Sequence, residues 1–116
     1  MIFSKNGEFL SVSRITGPKH NLLQVKISNG DQQPPECTCL PPQGNCKHDP
    51  LDEKGLIAHV IDGIKTVNEE LNTNYCVTHI RYVENDTKPE VVYGAMIIHL
   101  IRHLETGGEF LQGKNV

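Results

Sequence analysis

The sequence has no tryptophan, and aromatic residues make up only 5% of its 116 residues. A core built from this chain must therefore be mainly aliphatic. A chain of this length can bury one hydrophobic core without disulfides or metal ions to hold it together. We therefore predict a single domain over residues 1–116.

Runs of basic residues are also missing. The eleven Lys and Arg residues are scattered, no two of them are adjacent, and the formal net charge is -3. Proteins that bind nucleic acid or anionic membranes usually display a concentrated basic face. We therefore expect neither nucleic acid nor a membrane as a partner.

Long apolar runs are absent as well. The longest nearly apolar run, Val91 to Ile101, is about half of a membrane-spanning helix of ~20 residues, and His99 interrupts it. The start of the chain, Met1 to Gly7, is too short and too polar to predict a signal peptide. We expect a cytoplasmic protein, and in that compartment clustered cysteines indicate metal or redox chemistry more often than disulfides.

The first half of the chain predicts a β-hairpin. Its strands are Glu8–Ile15 and Leu22–Ser28, joined by a turn at 16–21 that contains glycine and proline. The second strand alternates apolar and polar residues, which is the pattern of a strand with one face in a core.

A long amphipathic helix follows. Asp49 and Pro50 are typical of a helix start, and the apolar residues from Leu56 to Leu71 recur at helical spacing. The helix ends near 72–74, and Tyr75–Val83 is rich in β-branched and aromatic residues, which predicts a strand.

The last element predicted is a helix over residues 91–104, with Gly107 as a left-handed cap after it. An alternative stays open, in which Val91 to Tyr93 form a strand and the helix begins near Ala95. The helix is apolar almost all round, which favours burial on more than one side or a partner. We therefore predict self-association through helix 91–104, as a homodimer.

These elements give the order β-β-loop-α-β-α. The sequence predicts an α+β fold with a small, mostly antiparallel sheet and two helices packed on one face. The loop is a Cys/Pro-rich connector at residues 31–49, which we expect to be stiff and without regular structure because prolines stand on both sides of Cys37 and Cys39.

This connector carries the strongest chemical signal. Three of the four cysteines lie in it, and Cys37, Cys39, Cys46 and His48 form the pattern C-x-C-x6-C-x-H. Three thiolates and one imidazole are an accepted ligand set for structural zinc. The spacing differs from the usual C-x2-C. We expect the side chains of C-x-C and C-x-H to diverge in an extended chain. A reversible disulfide (Cys39 with Cys46, or Cys37 with Cys39) and an inert connector are the alternatives.

Other candidates are weaker. His99 and His103 are four residues apart on one helix, but no H-E-x-x-H motif surrounds them. His59 and Asp62 have the spacing of a base and its orienting carboxylate, which a solvated helix face also displays by chance. We expect Cys76 to be a small buried apolar residue.

The leading hypothesis is a small accessory or binding protein of unknown process, with one structural zinc ion in the Cys/His loop. The first alternative is a small enzyme that uses a Cys/His pair, such as Cys46 with His48, for hydrolytic or thiol-redox chemistry in a cleft beside the loop. The second is a plain homodimeric interaction protein without metal.

Overall fold

The computed structural model describes residues 1–16, 19–42, 51–84 and 86–112. These ranges form, in order, β1 (Ile2–Asn6), β2 (Phe9–Thr16), β3 (Lys19–Asn29), β4 (Glu36–Leu40), α1 (Glu53–Leu71), β5 (Tyr75–Val83), α2 (Val91–Glu105) and β6 (Leu111–Gln112). The α+β class is confirmed. Residues 91–93 are helical, so the alternative in which they form a strand is wrong.

The six strands form one mixed sheet in the order β4-β5-β3-β2-β1-β6. The three inner pairings are antiparallel, whereas β4 joins β5 and β6 joins β1 in parallel. The prediction of a small, mostly antiparallel sheet is therefore wrong. The three strands that it missed are short and half exposed, so they carry little hydrophobic alternation.

One of the missed strands, β4, lies inside the segment that was expected to have no regular structure. Its residues Glu36 to Leu40 pair with His79 to Val83 of β5. The proline pairs 34–35 and 41–42 flank this strand without entering it. Proline removes a backbone donor only at its own position, so the prolines bound the strand and do not prevent it.

Both helices cover the same face of the sheet. On that face β2 and β3 contribute Leu10, Val12, Leu23 and Val25, and these residues share one hydrophobic core with the two helices. Tyr93, Met96, Ile97, Leu100 and Ile101 of α2 are fully buried in this core. The apolar circumference of α2 is thus largely covered by the sheet and α1.

The two helices approach each other closely at a pair of glycines. A methyl group added at Gly63 of α1 would lie 2.6 Å from the carbonyl oxygen of Gly94 in α2. A methyl group at Gly94 would lie 2.9 Å from the carbonyl oxygen of His59. Both distances are far below van der Waals contact, so this crossing requires glycine on both helices.

The ends of the helices follow local rules. Asp52 is the N-cap of α1, three residues after the predicted cap Asp49, which lies outside the described residues. After α2, Gly107 is left-handed at φ 73°. The N–H of Gly108 donates to the carbonyl of His103 over 2.8 Å, which completes a Schellman motif. Neither described helix combines the length and apolar character that a membrane span requires.

A buried carboxylate joins the segment between β5 and α2 to the first residues of β3. Asp86 is only 2% exposed. One of its oxygens accepts hydrogen bonds from the Leu22 N–H (2.7 Å) and the Tyr93 hydroxyl (2.8 Å), and the other lies 3.0 Å from His20 Nδ1. The bond from the Leu22 N–H satisfies a backbone donor of β3 that lies beyond the pairing with β5, which begins at Leu23.

Candidate functional site

The structure places Cys37 and Cys39 on the same side of β4. Residues two apart in a strand project to one face, so the expectation that these neighbours diverge is wrong. Their register partners in β5 are Ile80 and Tyr82, both of which belong to the hydrophobic core. The two thiols therefore face the side of the sheet that the helices cover.

Two further groups complete this cluster. Glu53, the first residue of α1, accepts a hydrogen bond from the Tyr82 hydroxyl over 3.0 Å. Cys37 and Glu53 interact directly, as do Cys39 and Tyr82. We call these four residues (Cys37, Cys39, Glu53 and Tyr82) the β4–α1 corner.

The surroundings of the corner disfavour the ionised forms of Cys37 and Tyr82. Burial, followed by the Glu53 carboxylate, raises the pKa of the Cys37 thiol to about 12. Burial, followed by the neighbouring Cys39 and Glu53, also raises the pKa of the Tyr82 hydroxyl. At neutral pH Cys37 is a protonated thiol and a poor nucleophile, and a metal ion that binds it must displace its proton.

The other half of the predicted zinc set, Cys46 and His48, lies outside the described residues. Among the residues that are described, no group of three or more His, Cys, Asp or Glu side chains is placed to hold a metal ion. The four-ligand set therefore stays a prediction, of which the structure describes Cys37 and Cys39.

The histidine pair of α2 is separated by its packing. His103 stacks on Phe3 at a centroid distance of 4.0 Å and meets Phe110 edge-on at 4.9 Å. Its Nε2 lies 2.6 Å from the carbonyl oxygen of Glu109. His99 is exposed on the same helix. His103 thus holds the chain after α2 against β1.

The remaining candidates have ordinary surroundings. In the described part of the chain, no hydrogen bond or ion pair joins His59 to Asp62. Cys76 is buried at 7% exposure, as its apolar neighbours predicted.

Sequence reasoning missed Glu53 and Tyr82 as neighbours of the cysteines. Tyr82 is paired with Cys39 only through the parallel register of β4 and β5. Glu53 reaches the corner because α1 begins there. Neither relation has a signal in residue spacing, since both join segments that are far apart in the chain.

Comparison of this chain with protein-family models, curated proteins and solved structures found no match. A function for this chain is therefore inferred from the side chains of the corner and of the sheet.

Proposed function

We propose that this is a non-enzymatic binding protein whose connection between β4 and α1 holds one structural zinc ion. Its ligands are Cys37, Cys39, Cys46 and His48. The observation that supports this most is the placement of Cys37 and Cys39 on one face of β4, at the end of the connection. Zinc accepts three thiolates and one imidazole in a tetrahedral structural site.

The two ends of the connection support the same proposal. It leaves β4 shortly after Cys39 and enters α1 at Glu53, and both of these residues contact Tyr82. The chain that carries Cys46 and His48 thus starts and finishes at one corner of the molecule. A metal ion there would tie the edge strand to the first helix, and binding would contribute to folding. In the cytoplasm, where we place the protein, the thiols stay reduced.

The decisive experiment is elemental analysis of protein purified without chelator, combined with thiol titration. We expect about one zinc per chain and protection of the Cys37, Cys39 and Cys46 thiols until zinc is removed. Cys37→Ser and Cys39→Ser should each lose most of the metal. Cys76→Ala is the matched control, because Cys76 is the one cysteine outside the connector, and it should retain the zinc. Freshly purified protein that contains no metal, and whose four thiols all titrate once it is unfolded in denaturant, would contradict the proposal.

Two alternatives stand beside this proposal. Burial raises the pKa of Cys37 and disfavours it as a nucleophile, so an enzyme would use another thiol, such as Cys46 with His48. Self-association through α2 would depend on the exposed strip that includes Val91, which is 53% exposed. Analytical ultracentrifugation of wild type and Val91→Asp measures it. A wild-type dimer that the variant abolishes supports this interface, and a wild type that stays monomeric at the highest concentration tested contradicts it.

A further inference from the structure

The face of the sheet that the helices leave uncovered carries a cluster of cationic and aromatic side chains. We call Phe9, Lys26, His79 and Arg81 the Phe9 cluster; they come from β2, β3 and β5. The guanidinium carbon of Arg81 lies 3.8 Å from the centroid of the Phe9 ring. Lys26 Nζ lies 5.0 Å from that centroid, and the His79 ring meets Phe9 edge-on at 6.4 Å.

Arg81 differs from the other described arginines in its partners. Arg14 donates to the Asn21 side chain over 2.8 Å, and Arg102 donates twice to the Glu70 carboxylate. Within the described ranges, the Arg81 guanidinium has no hydrogen-bond acceptor and no carboxylate; its contact is the Phe9 ring. Stacking holds its plane in place while its N–H donors remain available to a ligand.

The carboxylates that contact Lys26 and His79 lie at the surface. Lys26 pairs with Glu8 at 3.2 Å and His79 with Glu36 at 3.1 Å, but these carboxylates are 83% and 82% exposed. Ion pairs of this kind contribute little free energy, and a ligand anion can replace the carboxylate.

An open groove adjoins the cluster. It has a volume of about 410 Å³. Its walls are formed by Glu8, Lys26, Ile27, Ser28, Thr78 and His79. A volume of roughly 300–1,000 Å³ is usual for sites that bind small molecules. Ile27 supplies apolar surface to its wall, and hydroxyl and imidazole groups supply polar contacts.

We propose that the Phe9 cluster binds the phosphate group of a small phosphate monoester. Arg81 is the main phosphate ligand, Lys26 supplies a second cation, and the organic part of the ester lies in the groove. A guanidinium fork matches the oxygen atoms of a phosphate, and its fixation by Phe9 reduces the entropy that binding must overcome. This inference goes beyond the proposed zinc site and depends on different residues.

The test is an NMR titration of the full chain with phenyl phosphate and, separately, with inorganic phosphate, at constant ionic strength. We expect saturable shifts at Arg81 Nε–H and at the amides of β2, β3 and β5 around it. Arg81→Gln should weaken binding at least tenfold, and Arg81→Lys should weaken it less because the charge remains. The matched control is Arg102→Gln, which removes an exposed arginine elsewhere and should leave the affinity unchanged.

Each outcome bears on the proposal. Tighter binding of phenyl phosphate than of inorganic phosphate supports both the phosphate site and the role of the groove. Equal affinities support the phosphate site and overturn the role of the groove. Shifts spread over all Lys and Arg residues, no saturation, or unchanged affinity in a folded Arg81→Gln variant overturn the site. Tighter binding of a single-stranded oligonucleotide than of phenyl phosphate overturns the ligand class.

Discussion

At the scale of single residues, Asp86 joins the start of β3 to α2 through a buried carboxylate. Its carboxylate accepts hydrogen bonds from a strand N–H and from the Tyr93 hydroxyl, and it also contacts the His20 ring. Asp86→Ala removes the acceptor of the buried Tyr93 hydroxyl and of the Leu22 N–H, so we expect a loss of about 3 kcal/mol in the free energy of unfolding. Urea unfolding measures it.

The control for Asp86 is Asp62→Ala on the exposed face of α1, which should change stability by less than about 0.5 kcal/mol. A loss below about 1 kcal/mol in Asp86→Ala would mean that water replaces the carboxylate and that the network is not structural.

A second residue-scale prediction concerns Cys37. Its pKa rises from 9.0 to about 12 on folding because of burial and the Glu53 carboxylate. Above pH 9 the unfolded chain therefore releases a proton that the folded chain keeps, so the free energy of unfolding falls as the pH rises towards 12. The slope from this group stays below the one-proton limit of about 1.4 kcal/mol per pH unit, because solvent around the half-buried thiol screens its interaction with Glu53.

Urea midpoints of chelator-treated protein between pH 8 and pH 10 check this pH dependence. Cys37→Ser should show a flatter decline, whereas Cys76→Ala should decline like the wild type. Identical slopes in wild type and Cys37→Ser would show that the thiol is not protected from ionisation in the folded state.

At the scale of elements, the crossing of α1 and α2 depends on Gly63. Alanine is the better helix former by up to about 1 kcal/mol. At Gly63, however, its methyl group would collide with the Gly94 carbonyl and the Ile97 side chain. We expect Gly63→Ala to destabilise the fold by about 1–3 kcal/mol.

Gly55→Ala provides the opposite case in the same helix. There the added methyl group would meet the Asp52 side chain, which is exposed and can move away. This variant should be neutral or more stable than wild type by up to about 1 kcal/mol. Thermal unfolding of both variants measures the difference, and equal effects would contradict the close crossing.

The predictability of the elements varied with their burial. The strand Tyr75–Val83 was predicted with the bounds that the structure has, because β5 is central and its residues strongly favour strands. β4 and β6 lie at the edges of the sheet and were missed. Thr87 illustrates another limit. Thr87 and Glu90 have the spacing of a capping box, which predicts a helix start at Thr87. The Thr87 hydroxyl instead accepts the His20 N–H over 3.1 Å, so a partner that is distant in sequence replaces the local one.

At the scale of the whole molecule, the sheet predicts a gradient of local stability. β3 pairs with β2 over residues 19–25 and with β5 over residues 23–29. In contrast, only two residues of β6 pair with β1. Amide hydrogen exchange should be slowest at Leu23 and Val25, which are fully buried, and fastest in β6. Exchange in β6 as slow as in β3 would indicate that a further chain or segment covers that edge.

The sequence by itself determined the class of the fold, the two helices and the three central antiparallel strands. Each of these elements buries one face, so its apolar residues recur with the period of a helix or of a strand. The sequence also marked Cys37 and Cys39 as candidates through their residue types.

Only the tertiary structure decided which groups meet. The register of β4 beside β5 and the start of α1 bring Glu53 and Tyr82 to the two cysteines, and the register of β3 with β5 places Lys26 near Arg81. The basic residues that are scattered along the chain thus include two that share one face of the sheet. Strand pairing joins residues that are distant in sequence, and this is the reason that no spacing rule could show either cluster.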